Sequence, residues 1–288
     1  MHNSHFINFI TACVVTSAAF LAHGKDIDIN NDTTYSSNPN SNLNVTNNAT
    51  LTLAFQNSTS LSKKLEVNQG ATIHFKNAST NKGITYSFDS GEVGFFGNTI
   101  VGDSGDEYST TVKFPGANAS FQMQDLTIYG GSKLITGTSE TQISGHLRSL
   151  KNAASLSPQE AHISFNLDTS NLQSLTIEST INLSNLTLFL KTAPLALNIA
   201  PEYISDDGSY TLFTNVKYLF IDKTRSTATT YDASAFFTSA HITDDSQLVY
   251  TSDGSIILTG LVDVIPEPST ASLSLLALLG LALRRRRA

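Results

Sequence analysis

Leu43-Asn-Val45-Thr-Asn-Asn48-Ala49-Thr-Leu51-Thr-Leu53 returns as Leu65-Glu-Val67-Asn-Gln-Gly70-Ala71-Thr-Ile73-His-Phe75. Each phrase sets two apolar–polar alternations on either side of a corner that carries Asn or Gly. Alternation with a period of two predicts strands, because successive side chains of an extended chain point to opposite faces. The Asn or Gly supplies the positive φ that β-branched residues resist. Looser copies follow in Tyr86-Ser-Phe88-Asp-Ser-Gly91-Glu-Val93-Gly-Phe95, Val112-Lys-Phe114-Pro-Gly116-Ala-Asn-Ala-Ser-Phe121 and Leu126-Thr-Ile128-Tyr-Gly-Gly131-Ser-Lys-Leu134. The early copies start roughly 20 to 26 residues apart, a spacing that suits one coil of a β-solenoid of short strands with apolar side chains inward. The expected fold is therefore all-β: a parallel β-helix-like body with Val45, Leu51, Val67, Ile73, Ile128 and Leu134 facing inward. A β-sandwich whose hairpins share Asn/Gly turns is the alternative.

On either side of the copies the pattern thins. Residues 25–42 are rich in Asn and Ser with little apolar content beyond Ile27 and Ile29, and read as a loose leading or capping segment. The rhythm lapses from Arg148 to Gln159. It resumes at Ile163-Ser-Phe165-Asn-Leu167, Leu175-Thr-Ile177, Ile181-Asn-Leu183 and Leu186-Thr-Leu188-Phe-Leu190. Pro194 and Pro201 punctuate the next stretch. Asp206-Asp207-Gly208-Ser-Tyr210 then reads as a turn into a strand. Asp253-Gly254 between apolar runs is a strong hairpin signal. The expected division is 25–201 for the body and 202–262 for a small β-rich cap.

Composition narrows the class. The single cysteine, Cys13, lies near the N-terminus, so residues after it form neither disulfides nor thiolate metal sites. The formal net charge is −7 at pH 7, and it becomes more negative when the four arginines at the C-terminus are set aside. That sign opposes phosphate-backbone binding, so nucleic acid is not an expected partner.

The two ends read as addresses. Phe6 to Leu21 is largely apolar and is followed by Ala22-His23-Gly24, small residues at the −3 and −1 positions of a cut before Lys25. Residues 1–24 read as a secretory signal peptide, although no Lys or Arg precedes the apolar run. At the other end stand Pro266-Glu267-Pro268, an apolar run from Ala271 to Leu283, and Arg284-Arg285-Arg286-Arg287. The apolar run is about thirteen residues against the roughly 20 of a comfortable membrane span, and the arginines place its end on the cytoplasmic side. A plain tail anchor is the simpler reading of 265–288. The order of its three parts, however, resembles the PEP-CTERM sorting signal of bacterial exported proteins, a short domain that also goes under the name of ice-binding protein C-terminal domain. The resemblance implies a membrane-embedded transpeptidase, exosortase, as partner, with Pro266, Glu267, Pro268 and Arg284 to Arg287 as residues it recognises. It also implies an address in the cell envelope or at the cell surface. The body resembles, in pattern alone, the passenger domains of bacterial autotransporter adhesins.

Chemistry in the body is sparse. Asp103-Ser-Gly105-Asp106-Glu107 is the densest carboxylate cluster. Oxygen ligands on such a turn could bind Ca²⁺ and paired carboxylates could serve a glycosidase, but an EF-hand spacing is lacking and a solvated acidic turn is the expectation. His74 sits on the polar phase of its strand and reads as solvated. His146, His162 and His241 are scattered without metal-ligand spacing. Gly91, Gly94 and Gly97 do not open a helix, and no nucleophile-elbow or His-Glu-x-x-His motif occurs. No cofactor, metal or catalytic site is expected. The reading is a non-enzymatic envelope protein, adhesin-like, with extracellular glycans or cell surfaces as partners. A β-helical lyase or glycosidase is the alternative, and convergence of Asp103, Asp106, Asp125 or Glu140 in a cleft would favour it.

Overall fold

A computed structural model describes residues 26–152 and 160–262. The chain is nearly all β, and its strands climb in three parallel ladders. The first ladder takes Asp26–Ile29, Asn42–Val45, Leu65–Val67, Glu92–Phe95 and Asn118–Met123. The second, a separate sheet, takes Thr33–Tyr35, Thr50–Phe55, Thr72–Asn77, Asn98–Val101, Leu126–Tyr129, His146–Leu150, Ser174–Ile177 and Leu195–Ile199. The third runs Thr59–Leu61, Ile84–Phe88 and Thr110–Lys113. The antiparallel pairing that a sandwich of hairpins requires begins only with Tyr210–Ile221, against Ile256–Thr259.

The repeated phrase is the spatial register. Leu43 pairs with Leu65 and Val45 with Val67, while Leu51 pairs with Ile73 and Leu53 with Phe75. All six residues expected to face inward are fully buried. The corners follow the expected chemistry: Asn48 has φ 58° and Gly70 φ 80°. The later copies belong elsewhere. Tyr86 pairs with Val112 on the third ladder, whereas the residue above Leu65 is Val93. Residues 78–83 lengthen the connection from Thr72–Asn77 to Ile84–Phe88, and the inward Thr99 stands where an apolar residue would have kept the phase visible.

Beyond Gly131 the third ladder runs straight into the first. Lys133–Ile143 pairs with Thr110–Lys113 at one end and with Asn118–Met123 at the other. Ala161–Asp168, Ile181–Leu190 and Tyr210–Ile221 stack on it in turn. These long strands bend where the register shifts, at Gly137 (φ 73°), at Ser184 and Asn185 (φ 50° and 67°), and at Asn215 (φ 53°). A left-handed residue turns the chain there without ending the strand.

Residues 26–42 are not a loose segment. Asp26–Ile29 and Thr33–Tyr35 pair in parallel with Asn42–Val45 and Thr50–Phe55. Asn42 and Asn44 donate their side-chain amides to Asp26 and Asp28 at 2.8 and 2.9 Å. Carboxylates on this outermost strand also discourage edge-to-edge pairing with another chain. Arg148 to Leu150 likewise belong to a strand. The lapse in its sequence pattern comes from the inward Ser149, whose hydroxyl donates to the carbonyl of Ser179. The far end is closed by Gln247–Tyr250 and Ile256–Thr259, joined through Asp253-Gly254 with Gly254 at φ 84°. Residues 1–25 and 263–288 lie outside the described part, as do the signal peptide and the tail signal expected there. Among the described residues no helix is long and apolar enough to cross a membrane.

Candidate functional site

The carboxylate cluster sits on residues 102–109, the connection from Asn98–Val101 to Thr110–Lys113. Gly102, at φ 84°, turns this loop back over the end of the neighbouring strand Thr72–Asn77. The outward residues of that strand receive it. His74 Nε2 lies 2.9 Å from the Gly102 carbonyl and 3.7 Å from the Asp103 carboxylate. Lys76 Nζ donates to the same carboxylate at 3.1 Å. The Asp106 carboxylate accepts from the backbone N–H of Asn77 at 3.1 Å. The side-chain amide of Asn77 donates to the carbonyls of Lys82, Tyr108 and Ser109. The amide of Asn152 donates to the Asp106 carbonyl.

The loop is solvent-exposed at Ser104, Gly105 and Glu107 as expected, but it is a flap fastened at Asp103 and Asp106. Asp106 is buried, at 6 % exposure. Burial raises its pKa above the usual carboxylate value, against the pull of the Asn77 N–H, and the nearby Asp103 adds to the rise. Asp103 moves the other way. Its partial burial opposes ionisation, but the Gly105 N–H, Lys76 and His74 together hold its pKa below the ordinary value. Two carboxyls with oppositely shifted pKa values are the pattern of an acid–base pair. Here each already has a partner in the flap.

The other carboxylates do not join them. Asp125 accepts from the His146 N–H at 2.9 Å and from Arg148 at 3.1 Å, away from the flap. Glu140 pairs through its backbone with Asn166, and its side chain lies outside the described part. His162 has its pKa lowered by burial and by Lys133. His146 contacts the Ser174 hydroxyl, and His241 the Val262 carbonyl, so the histidines are dispersed as well. Among the described residues no group of three or more His, Cys, Asp or Glu is gathered to hold a metal ion.

Sequence reasoning missed two residues that hold this region together. Asn77 faces inward at the end of its strand, where an apolar residue would continue the pattern, and its amide closes the flap. Tyr86 carries a buried hydroxyl 2.6 Å from the Leu53 carbonyl and 2.7 Å from that of Lys76, and it accepts from the Phe55 N–H at 3.1 Å. Burial raises its pKa far above the usual phenol value. The only available signal was a polar group on an inward phase. No protein-family model, curated protein or solved structure matches this chain.

Proposed function

We propose that this is an exported cell-envelope protein whose body is a β-solenoid serving a structural or adhesive, non-enzymatic role, delivered by the tail signal at 265–288. The observation that supports the reading of the body is the succession of parallel pairings from Asp26 to Ile221, shifted in register only at the bends of the long strands. Polar side chains such as Asn44, Thr52, His74 and Lys76 stand on the outward positions. A stack of coils of this kind presents repeated outward side chains to an extended partner. Asp103 and Asp106 are tied down within one flap and Asp125 sits at another corner, which supports a display surface over a cleft. The reading of the address rests on the sequence at both ends.

The alternative, a carbohydrate-active enzyme, draws on the opposed shifts of Asp103 and Asp106. A glycan array probed with the purified protein separates the two. Binding without turnover is the expected result. Hydrolysis or elimination of a bound polysaccharide, abolished by Asp106→Asn, would select the enzyme.

A further inference from the structure

The described chain ends in a grip. The Leu261 N–H donates to the Gly208 carbonyl at 2.9 Å, and the Val262 N–H donates to the His241 carbonyl at 3.0 Å. His241 returns a contact from Nδ1 to the Val262 carbonyl at 2.9 Å, and the Ser246 hydroxyl donates to the Gly260 carbonyl at 2.8 Å. Gly260 to Val262 is thus threaded between the turn at 205–209 and the segment 241–246. From Val262 to Pro266 the chain can reach no more than about 14 Å even when fully extended. Anything that grips Pro266-Glu267-Pro268 must therefore work against the face of the body where the chain leaves it.

That face has a definite chemistry. Asp206 and Asp207 on one turn and Asp244 and Asp245 on the other are all exposed and flank the exit. No Lys or Arg occurs between Ser226 and Val262. An anionic phospholipid surface is repelled by such a face, whereas a protein surface rich in Lys and Arg is attracted to it. Resting on the sorting reading of the tail, we propose that this exit face is a docking surface for a basic patch on the protein that processes the tail. The short leash makes the contact obligatory, and the four aspartates give it complementarity. The tail motif alone would then be only part of what the processing partner recognises.

The test uses the full chain in the cell that makes it, following tail removal over time by mass spectrometry. Replacing Asp206, Asp207, Asp244 and Asp245 together by Asn is expected to slow removal by about tenfold, the lower end of electrostatic steering. Asn keeps the side-chain oxygen with which Asp207 accepts from the Ser209 N–H at 3.1 Å, and circular dichroism checks that the fold is unchanged. A Gly/Ser insert of about 20 residues between Val262 and Asp263, a flexible coil, is expected to erase the difference between Asp and Asn forms. Equal removal rates without the insert would overturn the docking proposal and leave the sorting reading intact, as would a difference that persists with it. Adsorption of the purified protein to phosphatidylglycerol vesicles through this face would also overturn it. A native protein whose tail is never removed would overturn the sorting reading itself.

Discussion

The parallel strands up to Met123 and those after it fill their interior with different material. In the first group rings occupy the centre. Phe75 lies 5.2 Å from Tyr86, 6.1 Å from Phe88 and 6.0 Å from Phe95, and Phe114 lies 4.9 Å from both Phe88 and Phe121. In the second group the centre is mainly aliphatic, with Leu126, Ile128, Leu134, Leu147, Ile163, Leu175 and Ile177 fully buried. Bulk is traded between ladders as the coils rise. On the second ladder Phe75 sits between Leu53 and Val101, while on the first ladder Val67 gives way to Phe95 and Phe121. Where the large residue leaves one wall it enters another, as close packing demands. The corners differ too: Gly97 and Gly116 before Met123 are crowded by backbone carbonyls, whereas the long strand Lys133–Ile143 after it bends at Gly137, which has open space around it.

Truncating the ring at the centre of the first group should have the largest effect. Phe75→Ala is expected to cost about 3–5 kcal/mol in unfolding free energy measured by urea denaturation, because Tyr86, Phe88 and Phe95 each lose a ring partner and the cavity cannot close. Leu175→Ala should cost about 2–5 kcal/mol and fall below the Phe75 value, since aliphatic neighbours relax more readily. Equal losses would erase the distinction between the two cores. The corners sharpen it next. A Cβ on Gly97 would lie 2.2 Å from the Ala71 carbonyl and 2.4 Å from that of Asn68. One on Gly137 would meet nothing within 4 Å. Gly137→Ala should therefore cost only the strain of its positive φ, about 1–2 kcal/mol. Gly97→Ala should cost more, through a backbone shift seen as faster amide exchange in Leu65–Val67 and Thr72–Asn77. A Gly137 variant as disturbed as the Gly97 variant would contradict the open-corner account.

The smallest effect lies in the flap, where signs are more informative than size. Asp103 has a lowered pKa in the folded protein, so its contribution is present above the ordinary carboxylate value and is lost as pH falls through the folded value. Asp103→Asn should lower stability at pH 7 by about 0.2–1 kcal/mol, the scale of a screened ion pair, with the difference fading in acid. Asp106 has a raised pKa, so the folded state favours its protonated form and deprotonation weakens the flap. Asp106→Asn should leave stability at pH 7 equal to or above that of the parent. Thermal unfolding of both variants from pH 3 to 8 checks the opposed slopes.

The sequence made the strands legible, together with the two aligned phrases at 43–53 and 65–75, the Asn48 and Gly70 corners and the Asp253-Gly254 hairpin. It did not reveal whether strands pair parallel or antiparallel, since a period of two is common to both. Phase was lost wherever an inward position is polar, as at Asn77, Thr99 and Ser149. The first coil was hidden by Asp and Asn on the outward positions around Ile27 and Ile29. The fastening of Asp106 depends on a loop folding back onto Asn77 across about one coil, a contact that no local pattern encodes.

The proposed delivery of this protein to the envelope is tested most directly by the ends of the native protein. Mass spectrometry of the chain isolated from the cell-surface fraction should find a first residue at Lys25 and a last residue near Pro266-Glu267-Pro268, with the arginines gone. A peptide that reaches Arg284-Arg285-Arg286-Arg287-Ala288 in that fraction would contradict the account and make the tail a plain anchor.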